Sequence, residues 1–121
     1  MSKSFDFGRE AEDFAEKYFI NQGYKVLARN YFFQKAEIDL ILFKNNLLIV
    51  VEVKARKYNP LIKPEIAVDI NKKRRLLKAV NQFINTNNID TDVRFDILAL
   101  EKKDSTWLDN HIVDAFNALE L

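Results

Sequence analysis

The chain has no cysteine, and among its 121 residues only two are glycine, two proline, one methionine, one tryptophan and one histidine. Without cysteine, disulfides and thiolate metal centres are excluded, and a reducing compartment is the natural home. Sparse Gly and Pro leave no internal linker, repeat or low-complexity stretch, so residues 1–121 read as a single domain with 48% hydrophobic residues, enough for one core. No apolar run approaches the roughly 18 residues of a membrane span, and the opening "MSKSFDFGRE" has no apolar segment of signal-peptide length. A cytoplasmic protein that makes no use of membranes is the expectation. There is no P-loop, no GxGxxG and no GxSxG, which removes support for nucleotide-triphosphate and α/β-hydrolase chemistry.

Charge of one sign is also scarce overall. The net charge is +1, too little for a histone-like binder held to nucleic acid by bulk charge. Its distribution is uneven, however. Between Lys54 and Lys78 nine basic residues face only Glu65 and Asp69, a net +7, so the rest of the chain carries −6. Such asymmetry in a small domain suggests one positive face, and a solvated helix surface is the plain alternative.

What is present is periodic. Phe7, Ala11, Phe14, Ala15, Tyr18 and Phe19 recur at helical spacing from about Phe5 to Asn21, and Gly23 suits a left-handed cap. "KVLARNYFF" reads as a strand, and "AEIDLILF" and "LLIVVEVKAR" as a hairpin joined through "KNN". "KYNPLIKPEIAV" reads as a loop, Ile70 to Asn85 as an amphipathic helix, "DVRFDILAL" as a fourth strand and "NHIVDAF" as a short fifth. The order α-β-β-β-α-β-β predicts a mixed sheet flanked by helices, with the third and fourth strands parallel across a right-handed helical crossover.

Charges inside the hairpin strands call for a cause. Alternation puts Glu52 and Lys54 on one side of their strand and Asp39 on a side with Glu37 and Ile41. A four-residue loop from Lys44 to Leu47 sets Phe43 against Leu48 and Asp39 against Glu52; a three-residue loop would move Asp39 to the other face. We expect the first register. Carboxylates directly opposite repel unless a cation lies between them, and oxygen-only ligands suit Mg²⁺ or Mn²⁺. Asp39 and Glu52 would then be metal ligands, with Lys54 orienting the attacking water or neutralising phosphate. An internal Glu–Lys or Asp–Lys ion pair is the bland alternative.

Two helical positions point to the same place. Glu12 lies beside the apolar stripe one turn from Gly8, which leaves space above it, whereas Glu10, Asp13 and Glu16 look like surface acids. Lys72, Lys73, Arg74 and Arg75 crowd the start of the second helix, the end at which the helix dipole disfavours cations and where backbone N–H groups and lysines together can hold phosphate. Lone His111 reads as a surface or end-of-strand residue. Trp107 and Tyr58 read as core or rim packing, and Asn30 as a turn residue or a hydrogen-bonding neighbour of the site.

In order, "GREAEDFAEKYFINQGYKVLARNYFFQKAEIDLILFKNNLLIVVEVKAR", "AVDINKKRRLLKAV", "RFDILAL" and "HIVDAF" resemble the YraN-type family of small bacterial proteins, itself similar to the restriction-endonuclease-like PD-(D/E)XK superfamily. The resemblance covers nearly the whole chain. It implies an α/β/α sandwich with the core order α-β-β-β-α-β, Asp39 and Glu52 as metal ligands, Glu12 assisting the metal, Lys54 positioning water, and Lys72 as the lysine that opens the second helix. Glu37 and Arg56 also fall on motif positions. Two departures stand out: Ala36 where the family usually has Gly, and the loop "KYNPLIKP" where a Phe-Gly pair is common. The expectation is therefore a Mg²⁺- or Mn²⁺-dependent endonuclease acting on DNA or RNA, catalysis resting on Asp39, Glu52, Lys54 and Glu12, and binding on Lys72, Lys73, Arg56 and Arg74. The alternative is a catalytically inactive nucleic-acid-binding or accessory protein. So small a domain offers little surface to enclose a duplex, which makes a homodimer or a protein partner compatible with either.

Overall fold

Two helices lie on opposite faces of a five-stranded sheet in a computed structural model that describes residues 3–64 and 66–117. In chain order the elements are α1 (Lys3–Asn21), β1 (Lys25–Phe33), β2 (Ala36–Lys44), β3 (Leu47–Lys57), α2 (Ile70–Thr86), β4 (Asp92–Lys103) and β5 (Thr106–Phe116). The strands lie side by side in sequence order, antiparallel except for β3 and β4, which are parallel. The α2 crossover imposes that exception, because a parallel partner needs a connection long enough to return the chain to its starting edge. No helix among the described residues is long and apolar enough to cross a membrane.

Alternation along β3 divides the core. Leu48 and Val50 pack with Leu76, Ala79, Val80 and Phe83 of α2, while Ile49 and Val51 pack with Ala11, Ala15 and Phe19 of α1. The first helix stops because Gly23 adopts φ 88°, so that Tyr24 N donates to Phe19 O (3.0 Å) and Gly23 N to Ile20 O (3.0 Å). At the start of α2, Asp69 caps the helix, its carboxylate accepting from Lys72 N at 2.9 Å.

The hairpin register is Phe43 to Leu48, as expected, but the loop is tighter. Lys44 pairs with Leu47, leaving only Asn45 and Asn46, both in the left-handed region at φ 53° and 59°. Two consecutive residues at positive φ match the right-handed twist of the flanking strands, and asparagine tolerates that conformation better than other side-chain-bearing residues. Asn46→Val is expected to cost roughly 1–2 kcal/mol, read as a lower urea midpoint, while Asn46→Gly leaves the midpoint unchanged or raised.

The last strand corrects its expected length. It is not short: β5 runs for 11 residues and pairs with β4 along most of its length through a turn at Asp104 and Ser105. As an edge strand it is largely exposed, so polar residues such as Asp109 and Asn110 interrupt the alternation that would have revealed it.

Candidate functional site

The site begins with a fault in the sheet. On β1, Ala28, Tyr31 and Phe33 all pack on the α2 side, and on β2 so do Ile38 and Ile41. Leu40 and Leu42 face α1. Strict alternation cannot give this: the facing of both strands changes at Asn30 and Asp39. Their mutual register is the same on either side, Arg29 to Leu40 and Tyr31 to Ile38, and the register shift of this ladder lies earlier, between Val26 and Ala28. Asn30, at φ 53°, falls opposite Asp39, and these two are the positions missing from the ladder. Asp39 therefore does not share a face with Ile41, contrary to the alternation reading. The β2–β3 ladder ends at Leu40 and Val51, where the strands separate, and Asp39 Oδ2 accepts from Val53 N at 2.7 Å in place of a ladder carbonyl.

The change of facing turns Glu37 toward α1. One oxygen from each of Glu12, Glu37 and Asp39 lies within 4.8 Å of the others. With its amide nitrogen facing the acids, Asn30 donates to Glu12 Oε2 (2.7 Å) and Glu37 Oε1 (3.1 Å), making it both a turn residue and a neighbour of the site. Arg29 approaches Glu12 only to 3.8 Å and is closer to Asp13 (2.7 Å) and Glu16 (3.1 Å). The acids are thus undercompensated. Burial, then the charge of Glu52, then Glu37 and Glu12, push the Asp39 carboxyl up to about 7 against the Val53 N–H bond. Burial also raises Glu12, with Glu37 adding to the shift and Arg29 opposing it. Two half-buried carboxylates, Glu12 and Asp39, and the exposed Glu37, with too little positive charge among them, fit a hard divalent cation with oxygen ligands.

Glu52 occupies the other side of the fault. It is one of two buried charged residues among the described residues, and its Oε1 is paired with Lys72 Nζ. Its charge reaches Asp39, but Glu37, not Glu52, is the third of the converging carboxylates. Lys54 follows on the same face, where it borders a hollow of about 320 Å³ with Glu52 and Lys72, and its ammonium bonds the Ala67 carbonyl. A second hollow of similar volume runs from Asp39 and Glu52 to Lys35, Lys72 and Arg75.

The remaining basic positions separate. Four consecutive helical residues sweep almost a full turn, so they cannot form one patch. Lys72 reaches Glu52, Lys73 lies over the Phe116 ring at 5.1 Å, Arg74 is exposed and Arg75 borders the second hollow. Asp69 already takes the Lys72 N–H at the helix start. Arg56 binds Glu101 Oε2 (2.9 Å) and the carbonyls of Ile62 and Lys63, which makes it an anchor for the 58–69 loop.

Sequence reasoning passed over a second charged cluster. Asp96, 1% exposed, accepts from Arg94 Nε and NH2 (2.8 Å each) and Asp114 N (3.0 Å), and lies 2.8 Å from His111 Nε2. The His111 ring is edge-on to Tyr18, Phe19 and Tyr24. So His111 is a partly buried, hydrogen-bonded group, not a surface one. The signal was the acid within "RFDILAL", the same kind of misfit that drew attention to Glu52. Trp107 packs on Phe7 (5.3 Å) and Phe14 (6.1 Å), as a rim aromatic should.

Fold and site together define an α/β protein, a five-stranded mixed sheet between two helices, opened at one level around a group of carboxylates. The profile of the uncharacterised protein family UPF0102 matches residues 11–100, and the chain belongs to that family, the YraN-type family whose motifs it resembles. A UPF0102 protein of Parabacteroides distasonis is 45% identical over 118 residues, 98% of either chain. UPF0102 protein FP2501 of Flavobacterium psychrophilum is 39% identical over 96% of this chain and 98% of its own. A UPF0102 protein of Clostridium beijerinckii is 39% identical over 92% and 93%, respectively.

Proposed function

We propose that this protein is a restriction-endonuclease-like, Mg²⁺- or Mn²⁺-dependent nuclease that hydrolyses phosphodiester bonds in DNA or RNA. The convergence of Glu12, Glu37 and Asp39 beside a basic hollow supports this reading. Glu12, Glu37 and Asp39 would hold the cation, which when bound supplies Lewis-acid polarisation of a phosphate and acidifies water. Lys72 and Arg75, with Lys35 across the hollow, neutralise the phosphate and fix its orientation. Glu52 holds the Lys72 ammonium at the rim, and Lys54 adds positive charge on the same face. Asn30 keeps Glu12 and Glu37 aimed at one point.

The test is cleavage of single-stranded, duplex, flapped and branched DNA and RNA with Mg²⁺ or Mn²⁺. Glu37→Gln is expected to slow cutting by roughly two orders of magnitude, the scale of one lost electrostatic contact to a transition state. Lys72→Ala should weaken binding and reduce its salt dependence by about one unit of slope. Failure to cut any substrate, or equal cutting by the Glu37→Gln protein, removes the enzyme reading. The tether of Lys54 to the Ala67 carbonyl favours one other reading, a nucleic-acid-binding protein without turnover. That protein binds in a salt-sensitive manner and is indifferent to metal.

A further inference from the structure

A hollow of about 700 Å³ opens on the α1 side of the carboxylates and differs in chemistry from the basic one across the sheet. Glu37, Asp39 and Val53 line both, so the two meet at the fault. Two aromatic rings, Phe7 and Phe32, line the α1-side hollow beside the polar Arg9, Glu12, Arg29 and Asn30. Phe7 is backed by Trp107, whereas Phe32, directly across the ladder from Glu37, is 67% exposed. A phenylalanine this exposed contributes nothing to the core, yet it stands at the lip of the site. Above Gly8 the space is open: a Cβ built there meets nothing within 4 Å.

We propose that this hollow is a nucleobase pocket, so that the substrate strand enters single-stranded with one base unstacked against the rings. The inference rests on the nuclease reading of the carboxylates and deepens it by naming the substrate class. A flat base needs an aromatic face and room for its width, and Phe32 and the space over Gly8 supply both. Its polar edge meets the Arg9 guanidinium, which donates to ring nitrogens and carbonyl oxygens, while Glu12 and Glu37 remain with the cation. The phosphate attached to that base then falls at the shared floor, between the carboxylates and the basic hollow. A base held in a duplex reaches the pocket only by leaving its stack, which selects against paired substrate.

The experiment uses a short single-stranded oligonucleotide carrying 2-aminopurine, in Ca²⁺ to permit binding, and the same oligonucleotide in a blunt duplex. Binding of the single strand is expected to quench the fluorophore by stacking, with the duplex bound at least tenfold more weakly. Phe32→Ala lowers single-strand affinity roughly ten- to hundredfold, the scale of one base–aromatic stack, and Gly8→Leu does the same by filling the space. Both variants melt within a few degrees of the native protein, because neither position packs in the core. Equal affinity for the duplex, or single-strand binding untouched by both substitutions, overturns the proposal. So does a native dimer that Phe32→Ala dissociates in sedimentation, which would make the ring a subunit contact. The two readings fail separately: Phe32-dependent binding by a protein that never cuts removes the nuclease and keeps the pocket, and cutting that ignores Phe32 and Gly8 does the reverse.

Discussion

Asp39→Asn raises the melting temperature of the metal-free protein at about pH 8 and abolishes any stabilisation by magnesium. The sign follows from linkage. Asp39 titrates near 3.8 when unfolded and near 7 in the fold, chiefly because it is buried and faces Glu52. Between those values the folded state keeps a proton that the unfolded chain has lost, so stability falls as pH rises through the window and stays low above it. A shift of this size corresponds to roughly 4 kcal/mol at most, and partial exposure reduces it to about 2–4. Asparagine removes the charge yet retains an oxygen for Val53 N–H. For a chain of this size the gain is on the order of 10 °C, shrinking toward zero at about pH 4. If the carboxylates bind the proposed cation, native protein is expected to recover a similar amount when the site is saturated, about 2.7 kcal/mol at a hundred times its Kd, and the variant is not. Thermal scans at the two pH values, with and without Mg²⁺, decide it. A variant no more stable than native at the higher pH would refute the crowded-carboxylate account.

Removing Asp96, a sheet acid with its partners in place, has the opposite effect. Asp96→Ala is expected to cost roughly 3–5 kcal/mol in urea unfolding, because it strips Arg94 of its bidentate partner and leaves Asp114 N–H and His111 without theirs. Burial alone would raise the Asp96 carboxyl, but the His111, Arg94 and Asp114 hydrogen bonds outweigh it and hold it below its ordinary 3.8. Its stabilisation is therefore complete above about pH 4 and is lost as pH falls through the depressed value. Adding Arg94→Met to the alanine variant should restore part of the loss, since the second change removes the orphaned cation. A penalty below about 1 kcal/mol for Asp96→Ala would show that the network is not the pin it resembles.

Much of the architecture was readable from periodicity. Leu76, Val80 and Phe83 announced α2, Gly23 marked the end of α1, and the apolar runs around "KNN" fixed the hairpin register. The change of facing at Asn30 and Asp39 was not readable, because alternation is the very rule it breaks and nothing in "LARNY" specifies a left-handed asparagine. That one irregularity decides which carboxylates meet: with it, Glu37 joins Glu12 and Asp39, and Glu52 is left to Lys72. The basic run on α2 was legible as charge but not as geometry, since four adjacent residues point four ways. Asp96 and His111 are 15 residues apart, and only the β4–β5 pairing brings them together.

The fault has one more effect. As an outermost strand of the sheet, β1 offers its free backbone groups to any passing extended chain. A residue in the left-handed region midway along it breaks the regular comb of donors and acceptors, so a second copy could match only half of that edge at a time. The distortion that aims a carboxylate thereby also guards the protein against fibrous self-assembly.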